Sequence, residues 1–198
     1  MSNIGIIILA AGASTRLGQP KQILVYQGKS LIRHITEAAI NSQCRPVVVV
    51  LGAYVETIEP HLRNLDIHIV YNQKWSTGMA SSIRCGLNAI GAIASEIEAI
   101  VLMLCDQPFV SSDLINQLVT RYQATNSMIV ASEYAGILGV PTIFHKTLFS
   151  ELALLQDDIG ARKIIRQHYS NCSSIYFAEG VIDVDTLEDY EQLHKHHR

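Results

Sequence analysis

Short apolar runs rich in β-branched residues alternate along this chain with segments of helical periodicity. Six runs have the length and composition of buried strands, at residues 4–9, 46–51, 67–71, 99–104, 128–131 and 142–144. Between them, apolar helical stripes begin after the candidate N-cap Ser30 and after Ser111 or Ser112. Such alternation requires right-handed crossovers and a mostly parallel sheet with helices on both faces. It therefore predicts an α/β fold whose ligands bind beyond the carboxyl ends of the strands.

The first of these runs leads directly into a loop of small residues that carries two cations. Residues 10–13 read Ala-Ala-Gly-Ala, so backbone N–H groups of this loop can approach an anion closely. Ser14 and Thr15 add hydroxyl donors, and Arg16 and Lys21 add positive charge. The loop lacks the Gly-Lys-Ser/Thr of a Walker A loop and the glycine spacing of the Rossmann fingerprint. Taken alone, it is either a polyphosphate site or a small-residue turn with solvated charges.

Composition narrows the class of protein. The 198 residues predict one domain over 1–198, and 48% hydrophobic with 17% charged residues is typical of a globular protein. The net charge of −3 argues against general nucleic-acid binding, and no apolar run is long enough to span a bilayer. The four cysteines are isolated and lack metal-ligand spacing, as is usual for thiols in a reducing compartment. We expect a cytoplasmic protein with no nucleic-acid or membrane partner.

Asp106 follows the fourth apolar run and precedes Pro108, which ends the strand. An ionisable side chain at the exit of a buried strand is costly unless it is paired or coordinates a cation. Mg²⁺ typically takes one or two protein carboxylates together with substrate phosphates, so Asp106 is a candidate Mg²⁺ ligand. The alternative is that Asp106 only caps the turn into the following helix.

A second acidic pair, Asp183 and Asp185, lies in the sequence Val-Ile-Asp-Val-Asp-Thr of residues 181–186. In an extended segment this alternation places both carboxylates on the same side. Asp185 or Thr186 is also placed to cap the helix that begins near Leu187. Capping accounts for one member of this segment and leaves a carboxylate free to bind a metal ion.

A third segment, residues 75–84, contains a glycine followed by a helix that begins with small and hydroxylated residues. Free N–H groups at such a helix start favour an anion or a polar base edge. The alternative, an ordinary helix start with an exposed arginine, is stronger for this segment taken alone. Its candidate site residues are Gly78, Met79, Ser81, Ser82 and Arg84.

Together, these segments resemble the nucleotidyltransferases of molybdenum-cofactor assembly, especially the cytidylyltransferase branch. The shared pieces, in family order, are residues 9–22 (Leu-Ala-Ala-Gly-x-Ser-Thr-Arg-Leu-Gly-x-Pro-Lys-Gln), 75–84 (Trp-x-x-Gly-Met-x-Ser-Ser-x-Arg), 106–108 (Asp-Gln-Pro), 139–141 (Gly-Val-Pro), 158–162 (Asp-Ile-Gly-Ala-Arg) and 183–186 (Asp-Val-Asp-Thr). Many sugar-nucleotide and cytidylyl transferases share the first piece, whereas residues 75–84 and 158–162 narrow the match to the molybdopterin branch.

The resemblance implies a three-layer α/β/α sandwich with a mixed seven-stranded sheet, in which the strand at residues 142–144 is antiparallel. It also implies site roles. Base contacts would come from Leu9, Ala10, Ala11 and Gly12, triphosphate contacts from Arg16 and Lys21, and Mg²⁺ ligands from Asp106 with one of Asp183 or Asp185. The acceptor would face the second half of the chain, at Gly139, Pro141, Asp158 and Arg162.

Two positions, Ala11 and Asp157, bear on substrate choice within this family, and a third, Leu187, departs from its pattern. Ala11 resembles the cytidylyl branch, because guanylyl relatives tend to carry glycine there and a Cβ narrows the pocket against a purine. Asp157 stands where many relatives have glycine, and Leu187 replaces a proline that preorganises the helix start. Asp157 adds negative charge near the expected acceptor and so bears on which acceptor is used.

The combined hypothesis is an enzyme that transfers CMP from CTP to the terminal phosphate of molybdopterin or of its molybdenum-loaded form, with Mg²⁺ as cofactor. One alternative is a transferase of the same fold that uses GTP or another phosphate acceptor. Another is a non-catalytic carrier that binds molybdopterin and docks on a molybdoenzyme. Arg16, Lys21 and Asp106 favour the enzyme, because a carrier has no use for a metal–triphosphate site.

Overall fold

Seven strands form one mixed sheet in the computed structural model, which describes residues 3–195. In chain order the strands are β1 (Ile4–Ala10), β2 (Val25–Tyr26), β3 (Lys29–Ser30), β4 (Val47–Leu51), β5 (His68–Tyr71), β6 (Ala99–Leu104), β7 (Ile129–Tyr134), β8 (Ile137–His145) and β9 (Cys172–Tyr176). β2 and β3 pair as a separate hairpin, and the other seven are ordered β5-β4-β1-β6-β8-β7-β9. β8 is antiparallel to both of its neighbours, as predicted for residues 142–144, and the other pairs of this sheet are parallel.

Helices cover both faces of this sheet. They are α1 (Leu31–Ile40), α2 (Val55–Ile58), α3 (Met79–Ile93), α4 (Ser112–Ala124), α5 (Phe149–Ala153), α6 (Arg162–Gln167) and α7 (Leu187–Lys195). Alternate residues of β1 enter two different cores: Ile6 and Ile8 pack with residues of α1 and α4, whereas Ile7 packs with residues of α3, α5 and α6. The expected three-layer α/β/α sandwich is therefore confirmed.

Each of the six predicted runs overlaps a strand, three of them starting one residue before it, and the larger differences are in β7, β8 and β9. β7 and β8 are longer than predicted because they form a hairpin closed by Ala135 and Gly136, which have positive φ angles of 48° and 72°. Gly139 and Pro141 interrupt the strand pattern of β8, so the sequence does not predict a strand over the first half of β8. β9 was missed among the runs because its sequence, Cys-Ser-Ser-Ile-Tyr, is polar at its centre.

The first residues of three helices test the capping predictions made for Ser30, for Ser111 or Ser112, and for Asp185 or Thr186. Ser111 caps α4, since its side chain accepts a hydrogen bond from the backbone N–H of Leu114 at 3.2 Å. Ser30 precedes α1, but its side chain makes no capping hydrogen bond. At α7 the Thr186 hydroxyl accepts from the N–H of Asp189, whose carboxylate accepts from the N–H of Thr186 at 2.7 Å. Thr186 therefore takes the capping role beside Asp185.

The carboxyl ends of β1, β4 and β6 lie side by side. Ala10 is level with Leu51 of β4, and Leu9 is level with Leu104 of β6. The chain adds β4 and β5 on one side of β1 and then β6 on the other, so the strand order reverses between β1 and β6. A reversal of this kind is where open α/β sheets bind ligands. Within residues 3–195, no helix has the length and apolar character needed to cross a membrane.

Candidate active site

A cleft of about 350 Å³ opens at the carboxyl ends of β1 and β6. Its walls come from the loop after β1, from the turn after β6 and from the segment around Trp75. The predicted site residues that line it are Leu9, Ala10, Ala11, Gly12, Ser14, Thr15, Lys21, Gly78, Met79, Ser82, Asp106 and Asp158. Segments that are far apart in the sequence therefore share one cavity.

The loop after β1 is held in place through its carbonyl groups. Gln22 is fully buried, and its amide nitrogen donates to the carbonyls of Ala10 and Gly12, each at 2.9 Å. Among the described residues, no acceptor takes a hydrogen bond from the backbone N–H groups of residues 12–15. The loop thus turns its acceptors toward the protein and keeps its donors for a ligand, as an anion-binding loop requires.

Four charged side chains from three segments form one ion-pair network beside the cleft. Lys21 Nζ lies 2.6 Å from Asp106 Oδ2 and 2.6 Å from Asp185 Oδ1. Arg16 Nη2 lies 2.6 Å from Asp185 Oδ2. The side chains of Lys21 and Asp106 are each 14% exposed, whereas that of Arg16 is 71% exposed. The two predicted cations and two of the predicted carboxylates therefore meet at one place.

The network shifts the pKa values of its members. Burial is the largest influence on Lys21 and lowers its pKa, but the attraction of Asp106 and Asp185 outweighs it, so the pKa is raised overall. Burial also raises the pKa of Asp185, but hydrogen bonds and charges from Lys21 and Arg16 reverse this and lower it. Burial, followed by repulsion from Asp106 and Asp185, raises the pKa of Asp183. Added positive charge near Asp183 would therefore be favourable.

The carboxylate side of the network suits a divalent cation that is shared with phosphates. Asp106 Oδ1 is buried and accepts no hydrogen bond from the described residues. Carboxylate oxygens are hard ligands of the kind Mg²⁺ prefers, and the Lys21 ammonium lies between Asp106 and Asp185. Among residues 3–195, no three or more His, Cys, Asp or Glu side chains form a metal site by themselves. A cation here would need ligands from the substrate as well.

A second cavity, of about 300 Å³, lies on the other side of Asp106. Asp106 and Leu104 line both cavities, whereas Asp183 and Arg162 line only the second of the two. Asp106 therefore lies at the boundary between the two cavities. The loop after β1 lines the first cavity, and residues from the second half of the chain line most of the second.

Gly139 and Pro141 lie in β8 behind the second cavity and do not line it. A Cβ on Gly139 would come within 2.1 Å of the Tyr134 hydroxyl oxygen, so the glycine makes room for that ring. Pro141 follows a cis peptide bond and is buried. Gly139 and Pro141 therefore shape the strand that presents Val140 to the cavity, and their contact with the acceptor stays a prediction.

Ser81 and Arg84 do not line either of these two cavities. The Ser81 hydroxyl lies 2.8 Å from the carbonyl of Gly78 and thus stiffens the start of α3. The Arg84 guanidinium donates to the carbonyls of Ala153 and Leu155 at the end of α5. Arg84, a candidate site residue, therefore makes a structural contact that ties α3 to α5 instead of reaching either cavity.

Gly78 and Asp157 form the contact between the two loops at the cleft. Gly78 has a φ of 105°, and a Cβ there would lie 2.3 Å from the carbonyl carbon and oxygen of Asp157. Asp157 has a φ of 52°, in the left-handed region that favours glycine. This conformation explains why many relatives have glycine at position 157. Asp157 lines neither cavity.

Three residues in these spaces were given no role from the sequence. Trp75 and Gln22 line the first cavity, and Gln107 lines the second. Each belongs to a motif piece quoted above, and that membership is the signal that identifies them. Neutral side chains of this kind carry no charge pattern, so position within a motif is the available cue.

The sheet order, the donor-rich loop and the cation–carboxylate network define a nucleotide-binding α/β transferase. The family comparison gives the same class: the chain belongs to the family described as the MobA-like NTP transferase domain, whose model matches residues 6–172.

Relatives in this family carry different names. The chain is 31% identical to nicotine blue oxidoreductase from Paenarthrobacter nicotinovorans, with 94% of each chain covered. It is 27% identical to a probable molybdenum cofactor guanylyltransferase from Bacillus anthracis, with 98% of each covered. It is 24% identical to the molybdenum cofactor cytidylyltransferase of Escherichia coli, covering 96% of this chain and 95% of that one.

Solved structures of related proteins superpose on nearly the whole chain. Rv0371c from Mycobacterium tuberculosis H37Rv superposes with a TM-score of 0.86 at 29% identity, with 98% of each chain covered. A structure of Rv0371c in complex with manganese gives a TM-score of 0.76 at 26% identity, with 97% of each covered.

Proposed function

We propose that this protein transfers CMP from CTP to the terminal phosphate of molybdopterin, or of its molybdenum-loaded form, and releases pyrophosphate. The observation that carries the proposal is the position of Asp106 between two cavities. The cleft beside the loop after β1 would hold the nucleotide, and the second cavity would hold the acceptor. The α-phosphate of CTP would then lie at the boundary, next to Asp106.

The reaction makes one bond and breaks one. An oxygen of the acceptor phosphate attacks the α-phosphorus of CTP, and the bond from that phosphorus to the bridging oxygen breaks, so pyrophosphate leaves with the electron pair. An acceptor phosphate is already ionised, so it needs little help from a general base. The protein's part is therefore positioning and charge stabilisation. Arg16 and Lys21 would stabilise the charge on the departing pyrophosphate.

Mg²⁺ would be held by Asp106 with Asp183 or Asp185, and when bound it would neutralise phosphate charge. The orphaned Asp106 Oδ1 supports this assignment, as does the manganese complex of a protein 26% identical to this chain. Because Lys21 bridges Asp106 and Asp185 in this structure, we expect it to exchange these carboxylates for phosphate oxygens when the nucleotide binds.

The choice of CTP rests on Ala11. This residue lines the first cavity, is 4% exposed, and its Cβ packs beside Gly52. Glycine at this position would leave more room for a purine base than alanine does. The relatives include both a cytidylyl- and a guanylyltransferase, so GTP is the competing nucleotide.

The four free cysteines support the cytoplasm as the place of the reaction. A molybdoenzyme would receive the product.

The test is release of pyrophosphate from each of the four nucleoside triphosphates, with molybdopterin or simple phosphates as acceptor. We expect turnover with CTP and molybdopterin, and rates on the order of 10²-fold lower for Lys21→Ala and Asp106→Ala, since each removes one electrostatic contact to the reacting groups. Arg121→Ala removes an exposed cation of α4 away from both cavities and serves as the matched control.

Three results would contradict the proposal. Turnover of Lys21→Ala and Asp106→Ala within a few-fold of the parent would remove the assigned roles. Preference for GTP would overturn the choice of base. Tight molybdopterin binding without turnover of any nucleotide would favour a carrier.

A further inference from the structure

The second cavity contains a buried amide oxygen that has no donor. Gln107 lines this cavity and is 4% exposed. Its Nε2 faces the carbonyl oxygen of Gly180 at 3.4 Å, which fixes the orientation of the amide, because the reverse orientation would oppose two oxygens. Oε1 is buried and accepts no hydrogen bond from the described residues. Leaving such an atom unpaired is costly, so a donor from a ligand is expected there.

An aromatic ring beside Gln107 is held rigidly in the same cavity. Tyr134 packs between two glycines: a Cβ on Gly180 would come within 2.4 Å of its ring, and a Cβ on Gly139 within 2.1 Å of its hydroxyl oxygen. Phe177 contacts the ring edge-to-face, with the centroids 6.4 Å apart. Two positions without side chains and one aromatic neighbour thus fix the ring, which is 5% exposed, as a rigid part of the cavity wall.

The charged groups of the cavity set the polarity of its ligand. Arg162 lines it, is exposed, and forms no ion pair with the described residues. A guanidinium of this kind suits a phosphate. Asp183 supplies a carboxylate acceptor in the same lining. The cavity therefore suits a ligand that carries hydrogen-bond donors and an anionic group.

We propose that Gln107 determines acceptor specificity by accepting a hydrogen bond from an N–H group of a nitrogen heterocycle bound in the second cavity. This inference rests on the proposed function, in which the second cavity holds the acceptor, and it names the residue that reads the acceptor ring. Gln107 does not line the first cavity, which is the one assigned to the nucleotide.

The test compares two fluorescent ligands that differ in their N–H groups. The phosphate ester of 6-hydroxymethylpterin carries ring and exocyclic N–H donors, whereas that of 6-hydroxymethyl-1,3-dimethyllumazine carries none. Dissociation constants come from fluorescence titration with the whole protein. We expect the parent to bind the pterin phosphate about 3- to 10-fold more tightly, as one net hydrogen bond predicts. In Gln107→Leu we expect this preference to vanish because only the pterin affinity falls.

Gln167→Leu, the same substitution at an exposed glutamine of α6, is the matched control and should keep the preference. Gln107→Met preserves side-chain length without the amide and gives the same readout if the leucine variant does not fold. Equal affinities of the parent for the two ligands, or a preference that survives in Gln107→Leu, would overturn the inference. A preserved ligand preference in a protein that turns over no nucleotide would instead contradict the proposed function alone.

Discussion

At the scale of single residues, the cleft depends on a close backbone contact. Gly78 and Asp157 place the start of α3 against the loop before α6, and Ala80 N–H donates to the Asp157 carbonyl at 3.1 Å. Gly78 lies where a side chain would meet backbone atoms and where φ is positive, so neither neighbour can adapt by a rotamer change. This contact joins the lining residues Met79 and Asp158.

We predict that Gly78→Ala destabilises the protein by about 2–4 kcal/mol, because overpacking and the left-handed conformation both oppose a Cβ. The matched control is Gly91→Ala in the same helix, where a Cβ meets nothing within 4 Å. Replacing that helical glycine should stabilise by up to about 1 kcal/mol. Denaturant unfolding measures both, and equal effects of the two substitutions would show that the contact at Gly78 carries no strain.

Charged residues of the site were predictable for two reasons. Asp106 stood out because an ionisable side chain at the end of a buried strand is expensive, and Lys21 because it adds positive charge to a loop of small residues. The structure places their side chains 2.6 Å apart. Arg84 was misplaced because a cation on a helix can reach a ligand or a carbonyl, and sequence does not distinguish the two. Gln22 and Gln107 were overlooked because their importance comes from which carbonyls they meet, which depends on the tertiary fold.

At the scale of elements, two serines that look alike in the sequence behave differently. Ser111 and Ser30 each precede a helix with an apolar stripe. Only the Ser111 side chain caps its helix, whereas Ser30 Oγ is buried and has no hydrogen-bond partner among the described residues. Ser30 is at the same time the last residue of strand β3, whereas Ser111 lies outside any strand.

We predict that Ser111→Ala lowers the free energy of unfolding by about 1 kcal/mol, the usual value of a helix N-cap. That loss corresponds to roughly 2–4 °C in melting temperature for a chain of this size. Ser30→Ala, the matched control, should not destabilise the protein, because it loses no hydrogen bond and removes a buried hydroxyl that has no partner among the described residues. Thermal melting followed by circular dichroism measures the stability of both variants. Equal losses at the two positions would contradict the capping assignment.

The central strands were predictable from their continuous apolar sequences, whereas the edge strand β9 was not predictable from its sequence. β1, β4 and β6 are buried on both faces and read as continuous apolar runs. β9 is partly exposed along its length, so its composition does not differ from that of a loop. The hairpin of β7 and β8 contains a shift in register at Ala131 and Ser132, which no alternating pattern anticipates.

At the scale of the whole molecule, the fold gathers charges that the sequence holds far apart. Arg16 and Lys21 come from the loop after β1, Asp106 from the end of β6, and Asp185 from the segment before α7. The parallel arrangement brings strand ends to one edge, so it accounts for Lys21 and Asp106. The approach of Asp185 depends on the long return of the chain after β9, which only the resemblance to a known family made predictable.

The measurement that tests this convergence most directly is thermal stabilisation by CTP, with Mg²⁺ or with a chelator, in the parent protein and in Asp106→Asn. A ligand at 100 times its dissociation constant stabilises by about 2.7 kcal/mol, so a clear rise in melting temperature is expected. We predict a rise that requires Mg²⁺ in the parent and is lost in Asp106→Asn. A rise in Asp106→Asn of the same size and with the same Mg²⁺ requirement would contradict the account.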